Sequence, residues 1–236
     1  MSNESFTWNG QESASFGLYI AEQPSIIMAS ERATFTTVPA RSGTVTQVEA
    51  DDVYDDVILP VDCFVKDTSR LHDIGAWLHG AGKLALPERP GGYYEARVVN
   101  QIEFAKVLRG RANRELTISF RCHPFWYVSG AAAADIPLTA SATFITNPGD
   151  LPSEPIITIT GSGDISLMVG QQIVDLEGVV GSITLNTVIQ EAYSGDDSQN
   201  DKMVGDFITI PPGPVPVSWS GNVTGVLITP NWKYRL

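Results

Sequence analysis

TFTTVPARSGTVTQVEADDVYDDVILPVDCFV, residues 34–65, reads as two extended runs around a small, acidic middle. Thr34–Val38 and Val57–Val65 are rich in β-branched and aromatic side chains, which suit a pleated, half-buried surface. Between them, Pro39-Ala40-Arg41-Ser42-Gly43 has turn chemistry, and five carboxylates fall in the eight residues from Glu49 to Asp56. Pro39 cannot donate to a sheet ladder and belongs at a strand end. In the second run, Val57, Leu59, Val61, Cys63 and Val65 share one face, and Ile58, Pro60, Asp62 and Phe64 share the other. That alternation predicts an antiparallel strand with an apolar core face and a mixed face that meets a protein partner. The stretch holds no reactive constellation. It builds a surface.

The rest of the chain is consistent with that. Its 236 residues suffice for two domains of ordinary size, and 43% hydrophobic content supports a real core. No run approaches the about 18 apolar residues of a membrane span, so no membrane insertion is expected. The start, MSNESFTWNG, lacks the basic and apolar regions of a secretory signal, which predicts folding in the cytoplasm or exit from the cell by a route other than secretion. The formal net charge is −12. Through Ala140 there are 12 Lys and Arg against 17 Asp and Glu; from Ser141 there are 3 against 10. Such an acidic surface repels phosphate and disfavours nucleic-acid binding. The two cysteines, Cys63 and Cys122, both lie in predicted strands without metal-ligand spacing, and read as buried thiols, with a disulfide as the alternative.

In chain order, Asn9-Gly10 marks a hairpin turn after Phe6-Thr7-Trp8. One helix is predicted over Ser69–His79, capped by Thr68 or Ser69, with Leu71, Ile74 and Leu78 at helical spacing and Gly80 and Gly82 at its end. Strands follow at Lys83–Leu86, Tyr93–Val99, Ile102–Leu108 and Glu115–His123. Gly130–Thr143, rich in Ala and Ser, reads as a domain seam. Beyond it, short β runs at close spacing, separated by Gly, Asp and Pro, indicate a sandwich.

Candidate chemistry is sparse. His72, His79 and His123 form no ligand spacing. Asp51, Asp52, Asp55 and Asp56, and likewise Asp196, Asp197 and Asp201, do not follow a calcium-loop pattern, and read as solvated acidic loops that blunt sheet edges. Gly161-Ser162-Gly163-Asp164 has no helix after it to cradle a phosphate and reads as a hairpin turn. Ser42 and Ser162 have no His nearby in sequence, and no Gly-x-Ser-x-Gly elbow is present. No catalytic residue, cofactor site or metal site is expected. Lys106, Arg109, Arg111 and Arg114 fall within nine residues, followed by Arg121. The expectation is that this basic loop of one subunit meets the Glu49–Asp56 loop of its neighbour, with Arg41 near the same surface. Trp126, Trp219 and Trp232 could instead stack on sugar rings, which would make the chain a carbohydrate-binding module; core or interface burial is the simpler reading.

The order of these features resembles the distal tail protein family of long, non-contractile-tailed bacteriophages and related prophages. The resemblance runs through FTWNGQESASFGLYI, VPARSGTVTQVEADDVYDDVILPVDCFV, DIGAWLHGAGKLALPERPGGYYEARV and ISFRCHPFWY in the first part. In the second part it runs through NPGDLPSEPIITITGSGDISLMV and GDFITIPPGPVPVSWSGNVTGVLITPNWKYRL, so it covers nearly the whole chain. Ala40 departs from the Gly often found there, as do Asn186 and Tyr193 in a region where the family often has an Asp followed by a Tyr. The resemblance implies a mostly β chain. Residues 1–138 are expected to form a ring-forming β-sandwich or split-barrel-like domain with one short α-helix and a β-hairpin. Residues 139–236 are expected to form a galectin-like β-sandwich. It further implies a non-enzymatic structural hub in the virion tail tip, assembled in the host cytoplasm. Six copies would form a ring that joins the tail tube protein to tail-tip proteins and can present receptor-binding proteins. An acidic lumen would let DNA pass without binding it.

Overall fold

The computed structural model describes residues 5–48, 53–103 and 114–235. The chain is mostly β, with 56% of residues in strands and 10% helical, which agrees with the expected class. It divides into two compact units, Met1–Tyr127 with Arg235–Leu236, and Val128–Tyr234.

The first unit holds β1 (Thr7–Trp8), β2 (Gln11–Glu12), β3 (Leu18–Ile20), β4 (Ala33–Thr37), β5 (Thr44–Val48) and β6 (Val57–Val65). After these come α1 (Leu71–Trp77), β7 (Ala81–Ala85), β8 (Gly92–Val98) and β9 (Arg114–Val128). Seven strands follow the order β2-β1-β7-β8-β9-β6-β3 in one sheet. Asn9 (φ 50°) and Gly10 (φ 79°) both take the left-handed conformation that a two-residue hairpin loop requires, pairing Trp8 with Gln11. The predicted alternation of β6 is realised: all five odd-numbered residues are buried and all four even-numbered ones are more open. The Ala21 N–H donates to Asp62 O (2.7 Å) and the Lys66 N–H to Gly17 O (2.9 Å), so even-numbered residues of β6 bond toward β3. Pro60 is even-numbered, and its missing N–H therefore leaves the ladder to β9 intact.

The helix is shorter than expected and enters through a 3₁₀ turn, Thr68–Arg70. Asp67 caps that turn, accepting from the Ser69 N–H (2.9 Å) and Ser69 Oγ (2.7 Å). These two hydrogen bonds hold its carboxyl below the usual carboxylate range. Ile74 is buried beneath α1, and Trp77 stacks on Phe16 at 4.4 Å and on Phe6 at 5.7 Å. The predicted strand Ile102–Leu108 lies for the most part outside the described residues.

Cys63 and Cys122 are free and buried, as the sequence suggested. Burial pushes both thiols up to about 12 from an ordinary 9.0, with Asp62 and Asp56 adding to the shift at Cys63 and Cys122 respectively. The folded chain therefore keeps protons that the unfolded chain releases above pH 9.0, so stability falls as pH rises from 9.0 toward 12. At pH 8 both thiols are expected to resist a thiol reagent until the first unit unfolds. Rapid labelling of the native protein would contradict this burial.

The second unit holds β10 (Ile136–Leu138), β11 (Thr143–Asn147), β12 (Ile156–Val169), β13 (Gln172–Asn186), β14 (Glu191–Ser194), β15 (Asp197–Ser198), β16 (Met203–Val204) and β17 (Gly213–Thr229). Three of these strands are 14, 15 and 17 residues long where the sequence suggested pairs of short ones. Gly161-Ser162-Gly163-Asp164 is thus not a hairpin turn but a bend inside β12, with a register shift between Gly163 and Ile165. Pairing continues on both sides of it. A Cβ at Gly161 would collide with Asn222 O, and one at Gly221 with Asp164 O, so bare backbone is needed where the bent strands cross. The curled sheet encloses a core that includes Ile157, Leu167, Val174, Leu185, Val217 and Ile228. Phe207–Ile210 contributes buried Ile208 and Ile210 and a bridge from Ile210 to Ser153.

Candidate assembly surfaces

Among the described residues β4 and β5 pair only with each other. The register sets Phe35 opposite Thr46 and Thr36 opposite Val45. Every residue of this hairpin is exposed except Ala33, which is half-buried. Phe35 is 66% exposed, and Val38, Val45 and Val48 are open as well. An isolated two-stranded hairpin is marginally stable in water. Thr44–Val48 was not anticipated as a strand, because it has no buried face to produce a periodic signal. Arg41 sits at the tip, its N–H donating to Val38 O (3.2 Å). Ala40 has φ 62°, a left-handed backbone that favours Gly.

Two of the acidic residues expected to meet a neighbouring subunit, Asp55 and Asp56, have partners in their own chain. Arg32 Nε donates to Asp55 Oδ1 at 2.9 Å, and the Asp55 N–H donates to Ser30 O at 3.0 Å. Arg121 Nε lies 3.0 Å from Asp56 Oδ2. All four side chains remain substantially exposed, so these pairs contribute little stability and mainly fix local geometry. Asp51, Asp52, Arg109 and Arg111 lie outside the described residues. Arg114 opens β9, in register with Val65.

Other bases of the first unit lie over aromatic rings. Lys66 Nζ is 4.1 Å from the Tyr19 centroid, Lys83 Nζ is 4.3 Å from that of Tyr93, and the Arg89 guanidinium is 4.6 Å from Trp126. Arg70 donates to Ser15 O and lies 5.4 Å from the Phe16 centroid.

Of the tryptophans considered for sugar stacking, Trp126 and Trp232 are buried and Trp219 is half-buried. Trp126 is 9% exposed, with Arg89 over its ring and Gly92 against its edge. Trp232 is 3% exposed, and Trp219 packs against the core of the second unit. His123 pairs with Glu95 at 3.7 Å. Among the described residues no three potential ligands converge as a metal site, and no helix is long and apolar enough to cross a membrane.

No protein-family description matches the chain, and no curated protein sequence is similar to it. Its fold does have a solved counterpart. The SPP1 Dit (gp 19.1) protein, whose crystal structure is described as a paradigm of the hub adsorption apparatus in Gram-positive-infecting phages, superposes with a TM-score of 0.74. The match covers 95% of this chain and 97% of that one at 15% sequence identity. The chain therefore has a Dit-like fold across nearly its full length.

Proposed function

We propose that this chain is a hub protein of a long, non-contractile phage tail tip. The observation that carries the reading is the end-to-end likeness of both units to a phage hub adsorption protein. In this reading six copies close into a ring in the virion, assembled in the host cytoplasm, that joins the tail tube protein to tail-tip proteins. The first unit makes the ring and the second projects outward, where it can hold receptor-binding proteins. The role is structural rather than enzymatic, and closed cyclic symmetry makes the same patches meet around the ring.

The β4–β5 hairpin supports this reading. Its exposed Phe35 and Val45 gain stability if a neighbouring copy covers them. Arg109, Arg111 and Arg114 against Asp51 and Asp52 are the proposed charged contact. Asp55 and Asp56, already engaged by Arg32 and Arg121, have less charge to offer a neighbour. A glycan-binding role for the second unit gains nothing from the buried Trp232 and the packed Trp219.

Light scattering of the purified 25.5 kDa chain is expected to give a particle of about 150 kDa, or a multiple of it, for six-fold closure. A monomer at every concentration would overturn the ring. Reversing charge at Arg111 and Arg114 together should shift the population toward smaller species, and an unchanged mass would remove that loop from the interface. Phe35→Ser with Val45→Ser should do the same for the hairpin.

A further inference from the structure

The outward side of the second unit carries an apolar band that the core does not use. Phe144 on β11 stands opposite Pro216 on β17. Met168 on β12 stands opposite Ile173 on β13, and Val204 on β16 lies diagonally next to Ile173. Alternate residues of the same strands, such as Val169, Val174 and Val217, are fully buried, so period-two geometry turns the band outward. Phe144 is 69% exposed, Ile173 54%, Val204 53% and Met168 39%. The five strands are hydrogen-bonded neighbours in the order β11-β17-β12-β13-β16, so these side chains form one continuous patch. A contiguous exposed apolar patch on a folded unit marks an interaction surface, and aromatic and Met side chains are enriched in such surfaces.

The border of the patch is acidic. Asp175 and Glu177 continue the outward row of β13 after Ile173, and Asp206 follows Val204; all three are exposed. Lys202, the nearest base in sequence, lines a separate small cleft with Asp197 and Ser194. We propose that this face docks an extended segment of a different protein, apolar at its centre and basic at its flanks. A second copy of this chain fits poorly, because the second unit's own bases, Lys202 in that separate cleft and Lys233 beside Glu154, bring no positive flank to meet Asp175 and Glu177. A bilayer fits poorly as well, since acidic side chains oppose anionic headgroups. The inference stands apart from the ring, which involves the first unit.

The test uses the full chain and a fluorescein-labelled peptide with a Leu-Phe-Val-Leu centre and two lysines at each end. Saturable binding is expected, and a peptide with glutamates in place of the lysines should bind at least about tenfold more weakly. Phe144→Ser with Ile173→Ser, and separately Asp175→Lys with Glu177→Lys, should each weaken binding about tenfold or more, with melting temperature and oligomeric mass unchanged. Absence of saturable binding, equal affinity for the two peptides, or full affinity in either variant overturns the proposal. A drop in oligomeric mass in the Phe144→Ser, Ile173→Ser variant would assign the face to a second copy. Cosedimentation with phosphatidylcholine vesicles that this variant abolishes would assign it to lipid. Either result also overturns the proposal.

Discussion

Asn147→Leu is expected to unfold the second unit well below the parent's transition, at a loss of roughly 2–6 kcal/mol. Asn147 ends β11 and is 2% exposed. Its Nδ2 donates to Leu151 O (3.0 Å) and Ile210 O (2.9 Å), and its Oδ1 accepts from the Gly149 N–H (2.8 Å). One amide thus closes a tight turn and ties it to the segment that carries buried Ile208 and Ile210. Leucine fills nearly the same volume, so little cavity forms and the loss is almost purely polar. The Gly149 N–H and Leu151 O lose this partner at about 1–3 kcal/mol each, while Ile210 O keeps the Ser153 N–H (2.9 Å). Asn147→Asp should fall between the parent and the Leu variant, because it keeps the acceptor for Gly149 but turns an oxygen toward two carbonyls. Urea unfolding followed by near-ultraviolet dichroism records both units, since Trp8, Trp77 and Trp126 lie in the first and Trp219 and Trp232 in the second. Labelling of Cys63 and Cys122 reports the first unit in the same sample, and that transition should not move. A shift under about 1 kcal/mol in the second unit would show that the three bonds do not act as a network.

Gly92→Ala is expected to cost the first unit about 3 kcal/mol or more, the upper end of overpacking. A Cβ at Gly92 would fall well inside contact distance of the Trp126 ring and of Tyr127 O. Trp126 cannot swing aside, because Arg89 covers its ring and the side chain is 9% exposed. The carbonyl belongs to β9, the strand beside β8 in the sheet, and cannot rotate without breaking a ladder. Gly91→Ala is the contrast. Gly91 has φ 87° with open space around it, so an added methyl meets only backbone strain, of about 1–2 kcal/mol. Thermal melts should therefore rank parent, then Gly91→Ala, then Gly92→Ala. The reverse order would mean that φ, not space, governs this turn.

These two glycines show what a sequence conveys here and what it withholds. Pro90-Gly91-Gly92 announces a turn, but nothing local says that Trp126, far along the chain, lies against the second glycine. The same limit applies at Gly161 and Gly163. A glycine with positive φ serves a hairpin turn and a bent strand equally well, and only the continuing partners on either side of β12 distinguish them. Where one strand carries its own signal, the reading succeeds: the faces of β6 follow from strict alternation, and the first hairpin follows from Asn9-Gly10. The helix entrance was blurred because Asp67, Thr68 and Ser69 are all good caps, and the side chain that accepts from Ser69 decides between them. Among the candidate interface residues, Asp55 and Asp56 stood out by charge density. Their partners Arg32 and Arg121 are distant in sequence and are brought close only by the fold.

The bent strands of the second unit have a further bearing on how it fails. Each of β12, β13 and β17 runs through the bend and supplies buried side chains from both of its arms. Neither side of the curl owns its strands, so neither can peel away while the other persists. Loss of order near Gly161 and Gly221 would release both halves together, and the unit should come apart in a single step under heat, denaturant or pulling force. That is resistance to gradual wear: intact until it breaks, with no half-open form for a protease to find.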